Sequence, residues 1–249
     1  MSTLAVGIDI GGTGIKGALV DVSAGELASE RVKVPTPEGG DPDAVLDAVA
    51  EMVDGLGEEA SGLPVGVCFP AIVRHGRTLS AANVSDRWIG LEAEALFEKK
   101  LGRGIHFVND ADAAGVAEVR FGAARDTDGL VIMTTLGTGI GSAFLHDGVL
   151  IPNSELGHLE IDGTDAEHRA SYAAKEREEL DWPDWAARLQ RFYGHVEYLF
   201  SPELLIVGGG VSKHHEEFLP LLDIQTPIVP AVLRNNAGIL GAAWLAARH

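Results

Sequence analysis

The chain has 249 residues, 46% of them hydrophobic and 22% charged, which is typical of a folded globular protein and excludes a disordered or collagen-like one. Nineteen Lys and Arg residues stand against 37 Asp and Glu, giving a net charge of −18. Because that charge repels other polyanions, we expect no nucleic-acid partner and no membrane partner. Any polyanionic ligand must then be bound by local cations.

The cysteine content and the N-terminal sequence bear on the compartment. Cys68 is the single cysteine, so neither an intramolecular disulfide nor a multi-cysteine metal site is available, and its apolar neighbours predict a buried core residue. The chain has no basic signal-peptide start and no apolar run of the ~18 residues that a membrane span needs. We therefore expect a soluble cytoplasmic protein.

The first predicted elements are two strands, 4–10 and 15–22, joined by the turn Gly11-Gly12-Thr13-Gly14. Gly12, Gly14 and Gly17 satisfy the G-x-G-x-x-G pattern of dinucleotide-binding folds. That pattern requires a helix after the glycines, and the turn signal at 21–25 leaves no room for one. The sequence therefore predicts a β-hairpin and not a Rossmann motif.

Apolar spacing and turn signals predict the other main elements. In chain order they are a helix over 41–56, a strand over 64–69, a helix over 92–101, a strand over 105–108, a helix over 111–121, strands over 130–136 and 204–207 on either side of a long helix over 182–200, and a closing helix over 236–248.

A short repeat links the two halves of the chain. Residues 12–15, Gly-Thr-Gly-Ile, recur as residues 137–140, an offset of 125, and both copies lie between predicted strands. Chance within a glycine-rich tract is the alternative. The repeat predicts a duplicated α/β fold with a cleft between its halves.

The two glycine turns offer converging backbone N–H groups, an arrangement that binds anions. Asp9 ends the first strand, where a carboxylate can order the water shell of Mg²⁺, and Lys16 can supply positive charge. The alternatives are that the glycines form tight turns without a ligand and that Lys16 is a solvated strand residue.

Polar residues follow two other predicted elements. Asn109 and Asp110 stand between a strand and a helix, where Asp110 is either a helix cap or a general base, with Asn109 binding a hydroxyl. Residues 153–160 gather Glu155 and His158 around a glycine turn. Together with Asn83 and the ring of Trp88, they predict a sugar pocket.

These motifs resemble those of the ROK (repressor, open reading frame, kinase) family of sugar kinases, which has the actin-like ATPase (ribonuclease H-like) fold. The blocks that carry the resemblance are 9–17, 109–112, 136–141, 155–158 and 206–211. Within the family, residues 157–163, the charged run 167–180, and residues 226–230 and 235–238 resemble the actinobacterial polyphosphate glucokinases, including those that also accept ATP or mannose.

The resemblance implies phosphoryl transfer from inorganic polyphosphate, and from ATP, to the 6-hydroxyl of glucose, with Mg²⁺ as cofactor and a homodimer as the usual assembly. It also implies a small domain, 1–109 plus 236–249, and a large domain, 110–235. The implied catalytic base is Asp110. The implied sugar-binding residues are Asn83, Asn109, Asp110, Glu155, His158 and Glu167, and the implied adenosine-binding residues are Gly208, Gly209 and Gly210. The implied phosphate-binding residues are Asp9, Gly11, Gly12, Thr13, Gly14, Lys16, Thr135, Gly137, Thr138 and Gly139, with Asp9 also holding Mg²⁺ through water.

Two departures from the family pattern change these expectations. Residues 164–175 contain no cysteine, so the zinc site of many members cannot form, and Glu167 is a weak counterpart of the usual sugar-binding glutamate. For a local basic track, Lys16, Arg87 and Lys213 are the candidates. A strictly ATP-dependent glucokinase and a catalytically inactive, sugar-responsive regulatory protein are the alternatives.

Overall fold

The computed structural model describes residues 4–248, which form two compact units. One unit contains the described residues up to Ala117 together with those from Asn236 onward, and the other is Glu118–Asn235. This division falls inside a helix, whereas the domain boundary expected after residue 109 lies at the start of that helix.

The predicted helices and strands are all present, with ends within two residues of the expected ones. The strands are β1 (Leu4–Ile10), β2 (Ile15–Asp21), β3 (Glu26–Leu27), β4 (Val32–Val34), β5 (Val65–Phe69), β6 (Val73–Arg74), β7 (Arg77–Thr78), β8 (His106–Asn109), β9 (Leu130–Leu136), β10 (Ile140–His146), β11 (Val149–Ile151), β12 (Glu160–Ile161), β13 (Thr164–Asp165), β14 (Leu204–Gly208) and β15 (Ile228–Pro230). The α-helices are α1 (Pro42–Gly55), α2 (Ala93–Leu101), α3 (Asp110–Phe121), α4 (Glu167–Ala170), α5 (Tyr172–Arg177), α6 (Trp182–Phe200), α7 (His215–Phe218) and α8 (Ala237–Ala246).

The first unit, within residues 4–117 and 236–248, contains a six-stranded sheet of order β3-β2-β1-β5-β8, with β4 also paired to β2. β1 and β2 are antiparallel, whereas β5 is parallel to both β1 and β8. α8 packs so closely on this sheet that a Cβ at Gly66 would lie 1.9 Å from the carbonyl oxygen of Ala242. Cys68 is buried in this unit, as predicted.

The second unit, within residues 118–235, contains a five-stranded sheet of order β11-β10-β9-β14-β15. Here too an antiparallel hairpin, β9–β10, is followed by the parallel neighbours β14 and β15. The amphipathic helix α6 buries the side chains of Trp185, Leu189, Phe192, Tyr193 and Val196 in its core. The two sheets share one strand arrangement, which confirms the duplicated α/β fold. None of the helices within residues 4–248 combines the length and the apolar character needed to cross a bilayer.

Candidate active site

The β1–β2 turn is closed by a hydrogen bond from Gly11 N to Gly14 O at 3.0 Å. A Cβ at Gly12 would lie 2.6 Å from the backbone oxygen of Asn83, so only glycine fits there without a backbone shift. Asn83 itself has a φ of 60°, a left-handed conformation that Asn tolerates. The fold therefore brings Asn83 to the first glycine turn, although seventy residues of chain separate them.

Asp9 and Lys16 face each other across the β1–β2 ladder, and Lys16 Nζ lies 2.8 Å from Asp9 Oδ2. Their side chains are 17% and 23% exposed, so Lys16 is a paired and largely covered cation, not a solvated strand residue. The thiol of Cys68 lies 3.7 Å from Asp9 Oδ1. Burial raises the pKa of Cys68, and the negative charges of Asp9 and Asp110 raise it further. The Cys68 thiol therefore lies within electrostatic reach of both carboxylates.

Asn109 caps α3. Its Oδ1 accepts a hydrogen bond from Asp112 N at 3.0 Å, and its Nδ2 donates to Ala71 O at 2.9 Å. Asp110, in the first turn of α3, is partly exposed, and its Oδ1 accepts from Ala111 N at 2.8 Å. Asn109, and not Asp110, is therefore the N-cap of α3. The Asp110 carboxylate lies at the N-terminal end of the helix, where the helix dipole favours a negative charge.

The β9–β10 turn of the second unit is closed by a hydrogen bond from Gly137 N to Gly139 O at 3.0 Å. The strand positions that correspond to Asp9 and Lys16 are held by Thr135 and Gly141, which face each other without charge. Glu167, at the start of α4, accepts from Ile140 N at 3.1 Å. A Cβ at Gly139 would lie 2.5 Å from Glu167 Oε2. A carboxylate therefore packs against this turn.

Glu155 and His158 lie within electrostatic reach of Glu167. Burial raises the pKa of Glu155, and Glu167 raises it further while His158 lowers it. The pKa of His158 is raised, first by its hydrogen bond to Asp165, with Nδ1 and Oδ2 2.8 Å apart, and then by Glu167 and by Glu155. The three sugar-binding candidates of the second unit thus form one cluster. Asp165 also belongs to this cluster, and the sequence analysis did not predict it.

A cavity of about 370 Å³ lies beside the second glycine turn. Gly137 and Thr138 line it together with Gly210, from the segment expected to bind adenosine, and Lys213. Tyr172, which the sequence gave no reason to single out, lines it as well. The cavity therefore gathers second-unit residues expected to bind the donor.

One expectation for the loop before α2, the place of Trp88 in a sugar pocket, is wrong. Trp88 is fully buried, stacks on Phe97 with ring centroids 5.9 Å apart, and donates from Nε1 to Gly40 O at 2.8 Å, so it lines no sugar pocket. Trp88 is stable in the core because Phe69 and Phe97 pack against its ring and the Gly40 carbonyl accepts the hydrogen bond from its N–H group. Arg87 forms an ion pair with Asp41, which neutralises one proposed member of the basic track.

The described part of the chain holds no group of three or more His, Cys, Asp or Glu side chains arranged to bind a metal ion. At the first turn, the carboxylate beside the backbone N–H groups is that of Asp9. A single carboxylate suits a cation that keeps most of its water and takes its other ligands from a phosphate donor, as Mg²⁺ does.

The ROK family model matches residues 5–171, more than half of the chain. The chain belongs to the ROK family. The matched residues include both glycine turns, Asp110 and the cluster of Glu155, His158 and Glu167. This ROK chain therefore carries its site candidates inside the matched region, apart from the glycines at 208–210 and Lys213.

Relatives and solved structures agree with this assignment. The chain is 47% identical to the polyphosphate glucokinase of Mycobacterium tuberculosis over 95% of this chain and 89% of that one. It is 55% identical to the inorganic polyphosphate/ATP-glucomannokinase of Arthrobacter sp. strain KM, whose crystal structure superposes with a TM-score of 0.94 over 100% of both chains. A ROK family glucokinase from Streptomyces griseus, solved with glucose and AMPPNP, is 26% identical with a TM-score of 0.81 over 99% and 100%.

Proposed function

We propose that this chain is a glucokinase that transfers a phosphoryl group from inorganic polyphosphate, and also from ATP, to glucose. The observation that carries the proposal is the similarity, over the whole of both chains, to the Arthrobacter polyphosphate/ATP-glucomannokinase. The Mycobacterium relative supports the same donor and the same sugar. Because that Arthrobacter enzyme is a glucomannokinase, we propose mannose as a second acceptor.

In the proposed reaction the 6-hydroxyl oxygen of glucose attacks the terminal phosphorus of the donor, and the bond from that phosphorus to the bridging oxygen breaks. Asp110 accepts the hydroxyl proton, a role supported by its partial exposure and by the cap that Asn109 supplies in its place. The products are glucose 6-phosphate and either ADP or a polyphosphate shortened by one phosphate.

The two glycine turns bind donor phosphates through their backbone N–H groups, and Lys16 adds a positive charge beside the first turn. In the second unit, the cavity at Gly137, Thr138 and Gly210 is large enough to take part of a nucleotide or a stretch of polyphosphate. Asp9 holds Mg²⁺ through water. When bound, this ion neutralises charge on the donor phosphates.

Each unit contributes its own candidates for hydrogen bonds to glucose. Glu155, His158 and Glu167 form the cluster described above, and His158 uses Nδ1 for Asp165, which leaves its Nε2 for a sugar hydroxyl. Asn83 lies at the first turn. Asn109 has one Nδ2 hydrogen beyond its bond to Ala71 and one Oδ1 lone pair beyond its bond from Asp112, so it can donate at most one hydrogen bond to the sugar and accept at most one.

Purified protein with glucose and Mg²⁺, assayed for glucose 6-phosphate with either polyphosphate or ATP, tests the proposal. We expect product from both donors, formed about 10²- to 10⁴-fold more slowly by the Asp110→Asn variant under the same conditions. Product from ATP alone would establish the strictly ATP-dependent alternative. Binding of glucose without product from either donor would establish the regulatory alternative, which the presence of Asp110 and of both turns makes the weaker one.

We propose a homodimer, and an exposed apolar surface on the second unit supports it. Val149 and Ile151 on β11, and Tyr198 and Leu199 near the end of α6, are each more than half exposed. Analytical ultracentrifugation of the parent and of Ile151→Glu, with Leu79→Glu in the first unit as the matched control, tests this assembly. The cytoplasmic location stays a prediction, which cell fractionation can check.

A further inference from the structure

A second lysine lies over the first glycine turn. Lys33 is the middle residue of β4, and the β2–β4 ladder places it directly opposite Lys16. Because residues opposite each other in an antiparallel pair project to the same face, Lys33 and Lys16 share one face of the sheet. The Lys33 stem extends toward the turn, since its Cε lies 3.1 Å from where a Cβ of Gly14 would be.

The position of Lys33 relative to the turn is fixed by the structure around it. β4 pairs with β2 on both sides of Lys33, through Val34 opposite Ile15 and Val32 opposite Gly17. Just beyond β4, the hydroxyl of Thr36 donates a hydrogen bond to Gly11 O, at the start of the turn. The segment that carries Lys33 is thus paired with β2 along its length and bonded to the turn through Thr36, which keeps the Lys33 stem beside the turn.

The charges around Lys33 leave it without a carboxylate. Among residues 4–248, no Asp or Glu oxygen lies within 4.0 Å of its ammonium, although the whole chain has 37 acidic residues. Lys16, its neighbour across the ladder, is paired with Asp9. Two like charges placed opposite each other on a sheet destabilise it. An anion bound beside the turn would remove this unfavourable interaction.

We propose that Lys33 is a donor-binding residue, whose ammonium contacts a phosphate of inorganic polyphosphate beside the β1–β2 turn. The inference rests on the proposed function and adds a residue to it. Of the candidates for a basic track, Lys16 and Arg87 are already paired with carboxylates, and Lys213 lines the cavity of the second unit. Lys33 was not among these candidates, and within the described chain it is an unpaired cation beside the first turn. Polyphosphate offers only phosphate groups to the protein, whereas ATP also has an adenosine. Loss of one cation therefore weakens polyphosphate binding more than ATP binding.

Three variants test this role. Lys33→Met removes the charge and keeps an apolar stem, Lys33→Arg keeps the charge, and Lys99→Met makes the same charge change at an exposed position on α2. With saturating glucose, we expect Lys33→Met to raise the KM for polyphosphate about tenfold and that for ATP less than about threefold, with kcat unchanged. Lys33→Arg should restore the KM to within about threefold of the parent, and Lys99→Met should match the parent.

A binding measurement keeps this test separate from the proposed function. Tripolyphosphate is used as an inhibitor of the ATP-dependent reaction, which requires no turnover of polyphosphate. We expect its inhibition constant to rise about tenfold in Lys33→Met, with a weaker dependence on salt, because one phosphate contact is lost. An unchanged inhibition constant, or equal effects of Lys33→Met and Lys99→Met, would overturn the role of Lys33. Failure of the parent to use polyphosphate, with the tripolyphosphate effect present, would overturn the donor assignment and leave Lys33 as an anion-binding residue.

Discussion

The two glycine turns share the sequence Gly-Thr-Gly-Ile and the same place in their sheets, but the side chains that pack on their last glycines carry opposite charges. Over the last glycine of the first turn, Gly14, lies the stem of Lys33, and beside it Lys16 is paired with Asp9. Over the corresponding glycine of the second turn, Gly139, lies the carboxylate of Glu167. The duplicated turn therefore has a cation packed on its last glycine in the first unit and an anion there in the second.

The difference indicates a division of tasks. A cation beside backbone N–H groups favours a phosphate, whereas a carboxylate repels a phosphate and accepts hydrogen bonds from hydroxyl groups. Glu167 also lies within electrostatic reach of Glu155 and His158, which form the rest of the sugar-binding cluster. On this view the cations at the first turn serve the donor phosphates and Glu167 behind the second turn serves the sugar, while Gly137 and Thr138 of the second turn face the donor cavity.

The largest expected effect comes from the first unit. Asp110→Asn should lower kcat about 10²- to 10⁴-fold, because a positioned proton acceptor is lost, while glucose binding persists. Glu167→Gln in the second unit should instead raise the KM for glucose and lower kcat less. Steady-state kinetics and calorimetric titration with glucose separate the two. A larger loss of kcat in Glu167→Gln than in Asp110→Asn would reverse the division of tasks.

The first glycines of the two Gly-Thr-Gly-Ile repeats, Gly12 and Gly137, should differ in their tolerance of a methyl group. A Cβ at Gly12 would lie 2.6 Å from the backbone of Asn83, whereas a Cβ at Gly137 has nothing within 4 Å. We expect Gly12→Ala to cost about 1–3 kcal/mol of stability and Gly137→Ala less than about 0.5 kcal/mol. Urea unfolding of both variants measures this. Equal midpoints would mean that the two turns are alike in packing.

The electrostatics of the cluster behind the second turn can be tested through His158. The pKa of His158 is raised above 6.5, first by its hydrogen bond to Asp165. The Asp165→Asn variant should lower the pKa of His158, which NMR titration measures, with His158→Gln assigning the signal. Because the folded-state pKa is the higher one, the stabilisation by this pair is fully present below about pH 6.5 and lost as pH rises through the raised pKa. The variant should therefore be less stable than the parent at pH 6 and equally stable once His158 is neutral in both. An equal deficit at every pH would assign Asp165 a packing role instead.

The sequence predicted the hairpins and the main helices well because their signals are local. Both hairpins consist of apolar strands around a glycine turn, and α1 begins where Asp41 caps it and Pro42 occupies its first turn. A local sequence signal could also have identified Asp165, the residue that pairs with His158. Asp162 and Gly163 both have positive φ and form the two-residue turn that places Asp165 beside His158, an Asp-Gly hairpin that the sequence displays.

Other parts of the site depend on contacts that no local pattern reveals. β4 has three residues, and its Lys33 is brought to the turn only by pairing with β2. Glu167 reaches Gly139 across 28 residues of chain, through the fold of the second unit. Trp88 was placed wrongly because its polar neighbours in sequence suggested a pocket, whereas Phe69 and Phe97 enclose its ring. Tertiary packing decided each of these positions.

The smallest expected effect concerns Arg87. It is a paired cation, and its effect can be compared with that of the unpaired Lys33. Its side chain is 65% exposed and its guanidinium is paired with Asp41, so its positive charge is already largely offset. Arg87→Ala should change the KM for polyphosphate less than about twofold, well below the effect of Lys33→Met, and an exposed pair of this kind contributes about 0–1 kcal/mol to stability. Steady-state kinetics with polyphosphate at low and high salt measure the first quantity, and urea unfolding measures the second. The double variant Asp41→Asn with Arg87→Ala serves as the control, since it removes both charges of the pair. A KM that rises as much in Arg87→Ala as in Lys33→Met would mean that the ion pair opens when polyphosphate binds, and the basic track would then include Arg87 after all.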